Sequence, residues 1–219
     1  NEGERNSMTA TKWTWLGISA AYLAFFSWYT SLKGPLTPAE IEHYMKLSEQ
    51  HDPSASGEDR ARIRAFMEED TGDDFVMINV IHLYDEPLQI EDVEPNDTTD
   101  DVLAKYMEYM FPAMLSRASH PVFQGSAVST AMDIMNADGM ETWTAGAGVR
   151  YRSRRDLLEI GTNPAFEGRH EFKVAAMAKT IAFPVDPFNY LGDPRLVLAL
   201  LLGLIGCGLS WFFATRRQT

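Results

Sequence analysis

Two uncharged apolar runs bracket the chain. Residues 13–32 carry no charge between Lys12 and Lys33, and residues 196–215 carry none between Arg195 and Arg216. An α-helix rises about 1.5 Å per residue and the bilayer hydrocarbon core is roughly 30 Å thick, so about twenty residues make one crossing. The sequence therefore predicts two single transmembrane helices, 13–32 and 196–215, with a polar region held between them. Trp13, Trp15, Trp28 and Tyr29 sit near the ends of the first run and Trp211 near the end of the second, as interfacial aromatics do. A signal peptide has a shorter apolar core and a small-residue cleavage site; the first run instead ends in Trp28-Tyr-Thr-Ser-Leu-Lys33.

Orientation follows from the flanking cations. Arg5 and Lys12 precede the first run and the pair Arg216-Arg217 follows the second, against Lys33, Lys46 and Arg195 on the inner flanks. The positive-inside rule then predicts cytoplasmic tails at 1–12 and 216–219 and a two-pass inner-membrane protein with a periplasmic domain. Residues 34–193 hold 13 Lys and Arg against 29 Asp and Glu. Such a surface excludes nucleic-acid binding, is repelled by anionic lipid and suits a cationic protein partner. The single cysteine, Cys207, lies inside the second run, which excludes an internal disulfide and a cysteine metal site.

Between the runs, residues 33–72 read as a helical arm. Thr37-Pro-Ala-Glu40 opens a helix to Gln50 with a capping box and proline at its first position, and a second helix spans Glu58 to Glu69. Residues 73–187 form the main domain. Phe75 to Tyr84 is a strand apolar on both parities, so both its faces call for cover. An acidic loop, 88–97, leads to a helix capped by Thr98 or Thr99 that runs to about Arg117. Its core stripe is Leu103, Met107, Met110 and Met114, with Tyr106 and Phe111 beside it, and Pro112 predicts a kink. Strands follow at 120–129 and 140–151, a helix from Ser153 to Gly161, another from Asn163 to Ala178, a strand at 180–184 and a linker at 188–195. The fold class is α+β, and the order β-α-β-β-α-β is that of the ferredoxin-like split unit.

From about Asp74 to Pro187 the pieces also resemble a known group. They are Met77-Ile-Asn79 with Tyr84-Asp85, Tyr106 with Pro112 and Leu115, Val122-Phe-Gln-Gly125, Val149-Arg-Tyr-Arg-Ser153, Asn163-Pro-Ala-Phe166, Ala175-Ala176 and Phe183-Pro184. In order and spacing they resemble a small bacterial family of domains of unknown function in the dimeric α/β-barrel superfamily, which also holds EthD-like and antibiotic-biosynthesis-monooxygenase-like domains. The family does not normally carry the two apolar runs or the arm. The resemblance implies a sheet that packs on a second copy and, in the wider superfamily's enzymes, a cavity between helices and sheet. Relatives often have a His-Arg pair where this chain has Phe172-Lys173, which argues against an inherited active site.

Candidate polar residues for such a cavity are Asn79, His82, Tyr84, Asp85, His120, Tyr151 and His170. Asn79 and His82 have opposite strand parity and cannot act as a pair. Asn79 is expected to bond backbone or dimer groups, and His170, between Arg169 and Glu171, to be solvated. No two histidines are spaced i,i+3 or i,i+4, and phosphate-loop, nucleophile-elbow and haem-attachment patterns are missing. No cofactor or metal site is expected, and the methionine stripe reads as core. The apolar runs carry small faces at Gly17 and Ala21, and at Gly203, Gly206, Cys207, Gly208 and Ser210, which let helices approach closely. No ionisable group lies in either run, so an ion pathway is not expected. The expectation is a non-catalytic accessory subunit whose runs meet the lipids and helices of a larger respiratory or photosynthetic complex, or a homodimer. The alternative is a membrane-tethered monooxygenase- or isomerase-type enzyme acting on an apolar substrate.

Overall fold

A computed structural model describes residues 2–188 and 190–216, with residues 2–7 described by backbone alone. Arg217, and the side chain of Arg5, on which the expected orientation leaned, lie outside the described residues, as does the rest of the tail at 217–219. The chain divides into two units, Asn1–Thr30 with Phe188–Thr219, and Ser31–Pro187.

The first unit is a pair of helices, α1 (Glu2–Tyr29) and α7 (Pro194–Thr215). Residues 2–12 of the expected tail at 1–12 are therefore part of α1. The helices run antiparallel, since Trp15 meets Gly206 and Ser210 while Tyr22 and Leu23 share a groove with Ala199 and Gly203. Only α7, among the described residues, is long and apolar enough to cross a membrane, at a mean hydropathy of 2.3. That corrects the expectation of two such helices. Length and lack of charge are not sufficient: the first run spends its positions on Thr14, Gly17, Ser19, Ser27 and interfacial aromatics, whereas α7 is richer in Leu, with Leu, Ile or Val at nine of its 22 positions.

The second unit is α+β, with a four-stranded antiparallel sheet ordered β2-β3-β1-β4. Its elements are α2 (Pro38–His51), α3 (Gly57–Glu68), β1 (Phe75–Leu83), α4 (Thr99–Leu115), β2 (His120–Ser126), β3 (Ala145–Tyr151), α5 (Arg154–Gly161), α6 (Arg169–Ala176) and β4 (Met177–Val185). Local chemistry sets the helix starts. Thr37 with Glu40, Ser56 with Asp59, and Thr98 with Asp101 form reciprocal capping boxes, and the Ser153 hydroxyl accepts from the Asp156 N–H.

Boundaries moved where the backbone had to turn. The helix expected over Asn163–Ala178 is two pieces, a 3-10 turn at Pro164–Phe166 and then α6, because Gly168 sits at φ +74°. Left-handed backbone ends one helical stretch and starts another. The last strand begins at Met177 instead of 180, directly from α6, while the second and third strands are shorter than expected, leaving 127–144 as a long loop.

Three apolar clusters hold the unit. The arm packs Leu36, Ile41, Tyr44, Met45 and Met67 together. Phe75, Met110, Met114, Tyr151 and Ile160 form the centre between sheet and helices, and Val102, Phe172, Ala175 and Ala176 join α4 to α6. Burial of these side chains supplies most of the folding drive. Arg150, 1 % exposed, is compensated by Asp74 Oδ2 at 2.6 Å and the Ala118 carbonyl at 2.9 Å. Arg155 ties the arm to α5 through both carboxylate oxygens of Glu40, at 2.8 and 3.1 Å. The two ends of the arm also meet at Gly72, where φ is +85° and a Cβ would stand 2.5 Å from the Gly34 carbonyl carbon. Only glycine fits there.

Candidate functional site

Strand alternation puts Met77, Asn79 and Ile81 of β1 on one face and Val76, Ile78 and Val80 on the other. The first face, together with Ala147, Val149 and Tyr151 of β3, looks toward α4 and α6. Between them lies a cavity of about 160 Å³. Its wall is mostly apolar: Leu103, Met107, Met110 and Met114 from α4, Pro121, and Met177 at the start of β4. The stripe read from sequence as core is thus core and cavity wall at once. The methionines suit this duty, being unbranched and adaptable in shape.

The polar groups in the wall are few: Asn79, Tyr106, Gln124, Tyr151 and Lys173. Asn79 donates from Nδ2 to the Met77 carbonyl at 3.0 Å. No hydrogen bond or ion pair engages Lys173 Nζ or the Tyr106 and Tyr151 hydroxyls among the described residues. Loss of hydration pulls the Lys173 pKa below that of an ordinary lysine. Burial pushes the Tyr106 phenol up to about 12, and raises Tyr151 further with the nearby Tyr106 adding to it. Both phenols therefore stay protonated and able to donate. An amine and two phenols without protein partners among the described residues thus sit in an otherwise apolar wall.

The sequence candidates separate accordingly. Asn79 and Tyr151 line the cavity, and Tyr151 also stacks on Phe75 at 5.6 Å. His82 is on the opposite sheet face, paired across to Lys179, and its buried Nδ1 has no hydrogen-bond partner among the described residues. Tyr84 is held by its backbone, donating its N–H to Ala176 and accepting at its carbonyl from the Thr99 hydroxyl; Asp85 is exposed. His120 Nδ1 donates to the Pro121 carbonyl at 2.9 Å. His170 is exposed, edge-on to Phe166, and lost hydration with the nearby Lys173 lowers its pKa. Among the described residues no cluster of three His, Cys, Asp or Glu is arranged to hold a metal.

Tyr106, Gln124 and Lys173 are the cavity residues that sequence reasoning passed over. A signal for Lys173 existed. It lies one helical turn before Ala176 and Met177, so a lone cation sits on the inward stripe of α6.

In the helix pair, Gly206 is the contact glycine: a Cβ there would stand 2.7 Å from the Trp15 ring and 3.0 Å from Ile18. Trp15 Nε1 donates to Ser210 Oγ at 3.1 Å, and that hydroxyl donates to the Gly206 carbonyl at 2.7 Å. Gly203 and Ala21 lie on the helix pair too, and Gly17, Gly203 and Gly208 each have open space where a Cβ would go.

No protein-family model and no curated protein matches the sequence. Among solved structures, the crystal structure of methylated RPA0582 matches at a TM-score of 0.50 and 18% identity, over 64% of this chain and 96% of that one. A second structure of RPA0582, a protein of unknown function from Rhodopseudomonas palustris, matches at a TM-score of 0.48 and 18% identity, over 63% of this chain and 97% of that one. At that identity the likeness is one of fold alone.

Proposed function

We propose that the α+β unit is a small-molecule-binding domain of ferredoxin-like, dimeric α/β-barrel build, attached to a membrane through the α1–α7 pair. One observation carries the reading: an apolar cavity under α4 and α6 whose Lys173, Tyr106 and Tyr151 have no partner among the described protein groups. The strand order β2-β3-β1-β4 supports the proposed build. A cavity near 150 Å³ accepts benzene in another protein, so one ring is the size to try. The test uses the full chain in mild detergent with 13C-methyl methionine. Phenol, neutral and water-soluble, should shift the methyl signals of Met107, Met110, Met114 and Met177 and leave Met8 and Met132 unmoved. Shifts spread evenly over all methionines, or none, would remove the cavity as the site. The apolar lining also suits the substrate expected of a monooxygenase- or isomerase-type enzyme.

A second reading, an accessory subunit of a larger membrane complex or a homodimer, is favoured by a different observation. The sheet face away from the cavity carries Ile78, Val80, Phe123, Ile181 and Phe183, with the last three about half exposed. Phe123 lies over Gly148, giving a flat apolar surface. Phe183→Asp should leave the monomer folded and abolish co-purification with a partner or second copy; unchanged stoichiometry counts against it. A periplasmic placement of the α+β unit, with α7 crossing an inner membrane, belongs to the same proposal. A phosphatase inserted in 88–97 should be active and one after Thr219 inactive.

A further inference from the structure

Resting on the cavity reading above, we propose that the cavity takes a benzene-sized apolar acid, its carboxylate seated on Lys173 Nζ and its ring among Met107, Met110 and Met114. The charge pattern of the wall carries this. Among the described residues no Asp or Glu lines the cavity and Lys173 is the one cationic group there, so the amine has no counter-charge among them. An amine taken from water without a partner is held against its charged form; a bound carboxylate restores the missing half of the pair. Tyr106 and Tyr151 line the same space with hydroxyls that remain protonated, and they offer further donors to an anion. A phosphate or dianion suits the site poorly, because one cation and a mostly apolar wall leave its second charge bare. A neutral hydrocarbon would leave Lys173 as unpaired as before. The volume, about 160 Å³, limits the remainder of the ligand to one ring or a short chain.

The titratable groups facing Lys173 are Tyr106 from α4, Tyr151 from β3 and His170 from its own helix. None is anionic at neutral pH, so the amine alone sets the acid preference. The preference should fall as pH rises toward 10.5, at a lower pH than for an exposed lysine. The experiment compares benzoate with benzamide, its neutral near-isostere, on the full chain in mild detergent, read by the methyl signals of Met107, Met110, Met114 and Met177. Benzoate should bind about tenfold tighter or more. Lys173→Met should reduce benzoate to the benzamide level while benzamide still binds, and Lys173→Gln serves as a second neutral variant. If benzamide binds and benzoate is no tighter, or if the preference survives in both variants, the acid assignment falls and the cavity reading stands. If neither compound shifts the four methyls, both fall.

Discussion

Glu40→Gln isolates the ion pair that fastens the helical arm to α5. Arg155 is 5 % exposed, and Glu40 meets it with both oxygens; its other acceptors, the Gly34 and Pro35 carbonyls, lie at 3.3 Å. The Arg155 guanidinium, then the Thr37 N–H, holds the Glu40 pKa down to about 2 from 4.5. Each unit corresponds to about 1.4 kcal/mol, so the raw figure is about 3.4 kcal/mol. The Glu40 side chain is 34 % exposed, and solvent screening reduces that to about 1–2 kcal/mol. Leaving Arg155 buried with only long carbonyl contacts adds about 1 kcal/mol. The expected loss is about 2–3 kcal/mol at pH 7. Glutamine keeps an acceptor for the Thr37 N–H, so the helix cap survives and the loss reports charge. Because the folded pKa is depressed, the pair stabilises fully above about 4.5 and its contribution disappears as pH falls toward about 2. The wild-type advantage should therefore close over that window. Urea unfolding of the full chain in mild detergent, followed by circular dichroism with hydrogen exchange at the α2 amides, measures it. A difference under about 0.5 kcal/mol at pH 7, or one that persists unchanged to pH 2, refutes the reasoning.

Three further outcomes follow from the same structure. Lys173→Met should stabilise the α+β unit by about 1 kcal/mol near neutral pH, since it replaces a desolvated amine with an apolar group of similar length; because the folded pKa is lowered, wild-type stability rises as pH approaches 10.5 and the gap in urea midpoints should narrow. Gly72→Ala should cost about 2 kcal/mol or more by calorimetry, from the strained φ of +85° and the backbone collision at 2.5 Å, and a cost below about 0.5 kcal/mol would contradict the described arm closure. Gly206→Leu should separate α1 from α7 and red-shift tryptophan emission, whereas Gly17→Leu and Gly208→Leu, which meet no atom of this chain within 4 Å, should not.

Much of the fold was legible in the chain because its signals are local. Thr37-Glu40, Ser56-Asp59 and Thr98-Asp101 fix helix starts through bonds three residues apart, and strand alternation sorted Asn79 from His82 before any contact was known. Charge and run length marked α7, which is long and apolar enough to cross a membrane, yet the same reading extended to the first run, where hydroxyls and interfacial aromatics lower the mean apolarity. Gly168 split a helix that periodicity drew as continuous, because a left-handed residue costs nothing visible in a hydrophobic pattern. The candidate site was half legible. Asn79 and Tyr151 were singled out by type and position, but whether a polar residue on an inward face finds a partner depends on what packs opposite it. Tyr106 and Lys173 became site residues only when α4 and α6 closed over the sheet without bringing a carboxylate to meet the amine. Sequence sets which side chain points inward; tertiary packing decides which inward group is left unsatisfied, because that depends on residues distant in the chain.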